Sequence, residues 1–224
     1  LAVDAITRIG KFDRDMIEAM FPPATGSPAL TRFRNKMEFA FGHDTNNKAD
    51  LKLGLRRRNG RDVVAVPHCA LMPPEAMQIV SLAGKLAAES GFAAYVAPDA
   101  RQGQPFRPTQ GQQRLGRRGG FARRTPRSHA IPIHEAVDYG FWRFFVLRRG
   151  LAADMRTPRW WALCITSPGD APQRAAVRML GREVLAAFPQ LAAFIHEERA
   201  TADAFAFGEK RVQTLDDTGR ENPS

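Results

Sequence analysis

TRFRNKMEFAFG, residues 31–42, combines an alternating strand pattern with cationic and amide side chains. Four apolar residues on one face alternate with three charged residues on the other: Phe33, Met37, Phe39 and Phe41 against Arg34, Lys36 and Glu38. This period of two predicts a half-buried β-strand. Asn35 is the one polar residue on the apolar side. A core strand does not need such an amide, so the stretch is also a candidate binding surface.

The size and composition of the chain indicate a globular protein. Its 224 residues are 44% hydrophobic, which is enough for one domain with a substantial core. No apolar run approaches the roughly 20 residues of a membrane-spanning helix, and the first residues lack the basic-then-apolar order of a signal peptide. The two cysteines, Cys69 and Cys164, form no CxxC pair, which favours a reducing compartment. We therefore expect a cytoplasmic protein that makes no membrane contact.

The positive charge of the chain is concentrated in one segment. The formal net charge is +10, and eight arginines with no acidic residue lie between Arg101 and His129, so subtracting eight leaves +2 for the rest. Residues 100–128 are rich in Gly, Gln, Pro and Arg and lack apolar periodicity, which predicts a disordered basic insertion. Arg117 and Arg118, close to two glycines and Phe121, are candidate RNA-binding residues that could follow a phosphate backbone. A flexible solubilising linker is the alternative interpretation.

Helix breakers divide the chain into a short lead-in and one larger domain. Residues 1–30 hold two short amphipathic segments followed by a Pro/Gly-rich stretch, and form a predicted helical lead-in. Residues 31–224 alternate strand-like apolar segments with two amphipathic helices, which begin near Pro73 and Asp170. We predict an α+β fold with a mostly antiparallel sheet of five to six strands, helices packed against it, and the disordered Arg/Gly-rich insertion.

Three segments resemble, in order, the RNA uracil carbon-5 methyltransferases that use S-adenosylmethionine. The stretch 31–42 is similar to the aromatic-Arg-Asn-Lys-x-Glu-Phe strand that opens the central domain in that family. LKLGLRRRNGRDVVAVPHCALMPPEA at 51–76 looks like the second and third strands of that domain, and GFWRFFVLRRG at 140–150 looks like the next one. The resemblance implies that residues 31–224 are the RNA-positioning central domain of such an enzyme, with tRNA or rRNA as its partner.

The resemblance implies RNA contacts for Arg34, Asn35 and Lys36, because the matching strand lies beside the bound RNA in the family. An arginine offers a planar fork to phosphate oxygens and a lysine offers a point charge, while the asparagine amide suits a local turn or an RNA hydrogen bond. A solvated strand face is the alternative. Arg143, in the third similar segment, is a further candidate for an RNA contact, with packing within the strand as the alternative.

Cys69 matches, by position, the last of four cysteines that hold an iron–sulfur cluster in many family members. The other three have no counterpart in this chain. A four-iron cluster needs more than one thiolate, so we expect no intact 4Fe-4S cluster here, although the full-length protein could carry one. The alternative interpretation of Cys69 is a small buried residue between a strand and a helix.

The residues needed for methyl transfer are not found in this sequence. Uracil carbon-5 methylation needs a nucleophilic cysteine, a base and a site for the methyl donor, which family members place in a C-terminal Rossmann-like domain. No Gly-rich strand-to-helix turn, Asp-Pro-Pro-Arg or Ser-Cys-Asn-Pro is present. We expect neither that domain nor the family's N-terminal barrel in this chain. S-adenosylmethionine would then bind elsewhere in the full-length enzyme, and this chain alone would be inactive. A stand-alone RNA-binding adaptor, or a scaffold whose Arg-rich loop binds protein, is the alternative.

Overall fold

Two short helices form the first of two compact units, residues 1–31 and 32–224, into which the chain divides. The computed structural model describes residues 2–22, 25–44, 47–58, 62–97 and 140–221, so the predicted insertion at 100–128 lies outside the described residues. Helix α1 spans Ala2–Arg8 and helix α2 spans Arg14–Met20. The Asp13 carboxylate caps α2 by accepting a hydrogen bond from Met16 N at 2.9 Å. In the described ranges, no helix is long and apolar enough to cross a lipid bilayer.

A seven-stranded sheet dominates the described part of the second unit. Its strands are β1 (Lys36–Asp44), β2 (Asn47–Arg56), β3 (Val63–Val64), β4 (Trp142–Leu151), β5 (Pro158–Thr166), β6 (Leu191–Glu198) and β7 (Lys210–Asp216). The strand order is β3-β2-β1-β4-β5-β6-β7, and all neighbours are antiparallel except β5 and β6. The predicted α+β class with a mostly antiparallel sheet is confirmed, but five to six strands was too few.

Two longer helices cover one face of the sheet. Helix α3 spans Pro74–Glu89, and helix α4 spans Ala171–Ala187 and supplies the crossover that the parallel pair β5–β6 requires. Asp170 and Gln173 form a reciprocal capping box at the start of α4. Helices and strands share one buried apolar cluster, whose largest members include Phe39, Phe41, Ile79, Phe145, Leu180 and Phe194. Removing this surface from water is the main stabilising contribution to the second unit.

The opposite face of the sheet, called the outer face below, carries a smaller apolar cluster. Its buried members are Ala40, Val63, Phe144, Val146 and Ile165, and Ala206 from the segment after β6 packs against them. Side chains alternate along each strand. The register therefore places Lys36 of β1, Arg148 of β4 and Trp161 of β5 on the outer face as well.

Strand β1 begins three residues later than the sequence pattern predicts. The amides of Arg32 and Arg34 donate to the carbonyls of Ala70 at 2.7 Å and Leu71 at 3.0 Å. Residues 32 and 34 are therefore hydrogen-bonded to the segment before α3, and pairing with β4 starts only at the carbonyl of Asn35. Arg32 also has a φ of +58°, which interrupts the extended conformation. Phe33 exposes 55% of its surface as a result, and its predicted place on the apolar face was wrong.

Candidate nucleic-acid interface

Arg34, Asn35 and Lys36, the residues predicted to contact RNA in the first strand, lie at the start of β1 and are exposed. Among the described residues, the Arg34 guanidinium has no acidic partner. Lys36 Nζ lies 2.6 Å from Glu38 Oε1 in an exposed ion pair, which is worth little in water. The backbone carbonyl of Asn35 accepts a hydrogen bond from the amide of Arg149 at 2.6 Å. The three side chains thus lie at one exposed end of the sheet, where β1 begins.

Strand pairing brings two further arginines to the same end of the sheet. Arg148 of β4 lies directly opposite Lys36 of β1, so the Cβ atoms of these residues are about 5 Å apart. The Arg148 side chain is exposed and, within the described ranges, has no acidic partner. The Arg149 guanidinium lies 5.9 Å from the centroid of the Trp160 ring, within cation–π distance. Sequence reasoning missed both arginines, because the register between strands a hundred residues apart is not readable from either strand alone.

The hairpin turn between β4 and β5 lies at the same end of the sheet and is held by its own hydrogen bonds. The Asp154 carboxylate accepts hydrogen bonds from the amides of Arg156 and Thr157, both at 2.9 Å, and from Thr157 Oγ1. The Thr157 hydroxyl, followed by the two amides, lowers the pKa of Asp154. Met155 sits between them with a φ of +55° and 72% of its surface exposed. A left-handed conformation is uncommon outside glycine and persists only where the surroundings hold it, so the tip has a defined shape.

These elements form a basic end of the sheet, comprising Arg34, Lys36, Arg148, Arg149 and Arg156. In the part of the chain that the structure describes, only Lys36 of the five is ion-paired. Guanidinium groups donate charge-assisted hydrogen bonds to phosphate oxygens, often two at once. Such contacts position a nucleic acid strand without reading its sequence. The geometry is therefore suited to holding a phosphate backbone across this end of the sheet.

Arg143, the other arginine predicted to contact RNA, lies in the interior. Its guanidinium donates to the carbonyls of Arg199 at 2.7 Å and Thr201 at 2.9 Å, and also to the carbonyl of Asp203. It also stacks on the Tyr95 ring, 3.9 Å from the centroid. Burial lowers the pKa of Arg143, although the neighbouring Tyr95 and Asp203 act against this effect. None of the side chain is exposed, so the geometry supports a structural role and gives no support to an RNA contact.

The carbonyls that Arg143 holds belong to the segment 199–209, which connects β6 to β7 at the end of the sheet opposite the basic end. Arg199 pairs with the carboxylates of Asp203 and Glu209, and its hydrogen bond to Asp203 raises its pKa, against the effect of burial. Two exposed rings, Phe205 and Phe207, stack on each other with centroids 5.7 Å apart. The Arg199 guanidinium lies 4.2 Å from the centroid of Phe207. The segment is thus fixed by two arginines, one of them fully buried.

The cysteines do not form a cofactor site in the described ranges. Cys69 is partly buried and packs against the main apolar cluster, and within those ranges no group of three His, Cys, Asp or Glu residues could hold a metal ion. A single thiol does not fit a four-iron cluster. Cys164 is fully buried in β5, and burial raises the pKa of its thiol. Arg117 and Arg118 lie outside the described residues, and their RNA contact stays a prediction.

Comparisons with known proteins found one protein that is similar in sequence and one that is similar in fold. The chain is 28% identical over 211 residues to a protein of Nitratidesulfovibrio vulgaris named "Uncharacterized RNA methyltransferase", covering 94% of this chain and 35% of that protein. The chain is similar in sequence to an RNA methyltransferase. No protein-family model matches the chain.

The fold of the chain is similar to part of a crystal structure of a Pyrococcus abyssi methyltransferase. That structure is the tRNA (uracil-54, C5)-methyltransferase in complex with S-adenosyl-L-homocysteine. The TM-score is 0.53 at 12% sequence identity, and the match covers 94% of this chain and 35% of that one. At this identity the likeness concerns the fold. The chain spans about a third of the length of both proteins that it matches.

Proposed function

We propose that this chain is the RNA-positioning central domain of an RNA uracil-5-methyltransferase that uses S-adenosylmethionine. The observation that carries the proposal is the basic end, where Lys36 and Arg148 lie opposite each other beside Arg34. The sequence similarity to an RNA methyltransferase and the fold similarity to a tRNA uracil-5-methyltransferase support the choice of RNA as the ligand.

In the proposed mechanism this domain holds RNA and a separate catalytic domain changes it. Arg34 and Arg148 hold phosphates on either side of the target nucleotide, and the Asn35 amide hydrogen-bonds a base edge or sugar. The target uracil is extruded from its stack into the catalytic domain, which binds S-adenosylmethionine. Phosphate contacts at the basic end resist the displacement of the flanking nucleotides while the base is out. Arg117 and Arg118 add sequence-independent affinity, and tRNA or rRNA in the cytoplasm is the substrate.

Because the proposal assigns methyl transfer to a separate catalytic domain, we predict that these 224 residues alone do not methylate RNA. Incubating the chain with total tRNA or rRNA and radiolabelled S-adenosylmethionine should transfer no label above a blank without protein. The physical reason is that addition to a uracil ring needs an accessible nucleophilic thiol beside a general base, whereas among the described residues Cys69 packs against the main apolar cluster and Cys164 is fully buried. Turnover above the blank contradicts this part of the proposal. A parallel reaction with a complete uracil-5-methyltransferase ensures that the RNA can accept a methyl group.

RNA binding should depend on the basic end more than on charge in general. Arg148→Ala and Arg34→Ala should each weaken RNA binding roughly tenfold, since each removes a charge-assisted phosphate interaction worth about 1.5 kcal/mol. The slope of log K against log salt should become shallower by about 0.7 to 0.9 for each phosphate that the variant no longer neutralises. Filter binding of labelled tRNA between 50 and 200 mM salt, a range chosen from the usual salt sensitivity, measures both quantities.

Arg178→Ala is the matched control for those variants. Arg178 is exposed on α4, on the face of the sheet that the helices cover, and has no ion pair in the described part of the chain. It should bind RNA as the wild type does. Equal weakening in all three variants contradicts the proposed site, because it means that only the total charge matters. Deleting 101–128 measures separately what the insertion contributes.

A further inference from the structure

Trp161 stands beside the basic end on the outer face of the sheet. It lies directly opposite Arg148 of β4, which in turn lies opposite Lys36 of β1. The three side chains therefore form one row across adjacent strands, with neighbouring Cβ atoms about 5 Å apart. Trp161 remains partly exposed, whereas the preceding Trp160 is buried in the main cluster with 2% of its surface exposed. A large, partly exposed aromatic ring thus lies next to the basic end.

The indole ring of Trp161 is held in place by the glycine beside it. A Cβ atom at Gly150 would lie 2.9 Å from Cζ3 and 3.2 Å from Cη2 of Trp161, so the ring lies over the Gly150 backbone. Its neighbour on the β6 side is Ala193, which carries only a methyl group. One side of the ring is therefore supported by backbone, and its direct partner on β6 contributes only a methyl group. A ring supported in this way loses little conformational freedom when a ligand stacks on it.

We propose that Trp161 is a stacking platform for an unpaired RNA base whose neighbouring phosphates are held by Arg148 and Lys36. This inference rests on the proposed function and names the part of the RNA that the site takes, a single-stranded segment. Aromatic rings bind successive bases by stacking with little sequence preference, because every base has a π-face. An apolar protein partner fits less well, since covering the ring would also cover the Arg148 guanidinium, which has no acidic partner among the described residues.

Affinity for two oligonucleotides separates stacking from charge. Trp161→Ala should bind a ten-residue oligouridylate roughly tenfold more weakly than the wild type does, which is the usual loss for one stacked base. Binding to an oligonucleotide of the same length in which the bases are missing should not change, because its phosphates still meet Arg148 and Lys36. Trp161→Phe should recover most of the loss, since a smaller ring still stacks.

Fluorescence provides a second readout from the same protein. The chain has three tryptophans, and Trp142 and Trp160 are both buried. Stacking a base on Trp161 should quench the intrinsic emission on addition of oligouridylate, and Trp161→Phe should abolish that quenching. Gly150→Ala pushes the far edge of the ring and should reduce both quenching and affinity while the ring is still present. Circular dichroism establishes that each variant is folded.

Phe205→Ala is the matched control, because Phe205 is an exposed ring at the opposite end of the sheet, with 55% of its surface exposed. It should change neither affinity nor quenching. If the wild type binds tRNA but not oligouridylate at low salt, only this inference is overturned, and if it binds neither RNA, the proposed function is overturned as well. If the wild type binds and Trp161→Ala binds equally well without quenching in either protein, only the stacking platform is wrong. An equal loss for the oligonucleotide without bases overturns it too, because the effect is then structural.

Discussion

Replacing Arg143 with methionine should lower the free energy of unfolding by about 3 to 5 kcal/mol, the usual cost of removing one partner of a buried charged network. The guanidinium donates to three carbonyls of the segment 199–209 and lies 3.5 Å from a carboxylate oxygen of Asp203. Methionine fills much of the same volume but donates no hydrogen bond, so the carbonyls lose their donors and the Asp203 carboxylate keeps only Arg199 as its counter-charge. Urea unfolding followed by circular dichroism measures the change.

The matched control is Arg178→Met, the same substitution at an exposed position of α4. It should change the free energy of unfolding by no more than about 0.5 kcal/mol. Faster proteolysis within 199–209 in the folded Arg143 variant should accompany its loss of stability, because that segment loses its anchor. A change below about 1 kcal/mol in Arg143→Met would mean that the buried network contributes little, and our account of this arginine would be wrong.

Arg143 illustrates why residue type predicts less than position. Arg143 and Arg148 lie on the same strand of the same sheet, within the segment GFWRFFVLRRG. The first is enclosed by Tyr95 and the 199–209 segment, whereas the second is exposed at the basic end. The strand pattern alone does not contain the difference, because it depends on which distant segments pack over each end. Sequence reasoning therefore selected the arginine that is buried and passed over the one that is exposed.

The fold was more predictable than the site, because alternation is a local property. The pattern of β1 correctly identified Met37, Phe39 and Phe41 as the buried side of a strand, and the helices after Pro73 and Asp170 lie where their caps and periodicity predicted them. The start of β1 was not predictable, since it is set by hydrogen bonds to residues 70 and 71. The row of Lys36, Arg148 and Trp161 depends on the β1–β4 and β4–β5 registers, which the single strands do not specify.

The free energy of unfolding should fall by about 2 kcal/mol between pH 7 and pH 5, because His196 takes up a proton more readily in the unfolded chain. Burial lowers the pKa of this histidine to about 4, an effect that the Glu198 carboxylate opposes and the Arg174 guanidinium reinforces. Nε2 lies 2.9 Å from Thr166 Oγ1, which itself donates to the carbonyl of Ser167, so we assign the Nε2–H tautomer. Nδ1 is buried and has no hydrogen-bond partner among the described residues. Protonation would place an unsatisfied charged donor there.

The sign follows from comparing the folded and unfolded chains. With a folded pKa below the unfolded value of about 6.5, His196 binds a proton more readily in the unfolded chain at every pH between the two values. Its contribution to stability is complete above about pH 6.5 and is lost as the pH falls toward 4. Burial raises the pKa of Glu198, but hydrogen bonds from Arg174 and from the Gly169 amide outweigh this, and the net pKa is lowered. The stability that the Glu198 carboxylate contributes is therefore lost mainly below about pH 4.5, which is outside the interval from pH 7 to pH 5.

Urea unfolding at half-unit intervals from pH 7 to pH 5 should resolve this slope. His196→Gln removes the titrating ring and should flatten the dependence over that interval, whatever its effect on stability at pH 7. His68→Gln is the control, since His68 is exposed and its replacement should leave the slope unchanged. If the slope persists in His196→Gln, another group titrates in this range and the buried histidine is not the cause. If the slope disappears only in His196→Gln, protonation of the buried His196 accounts for the loss of stability in mild acid.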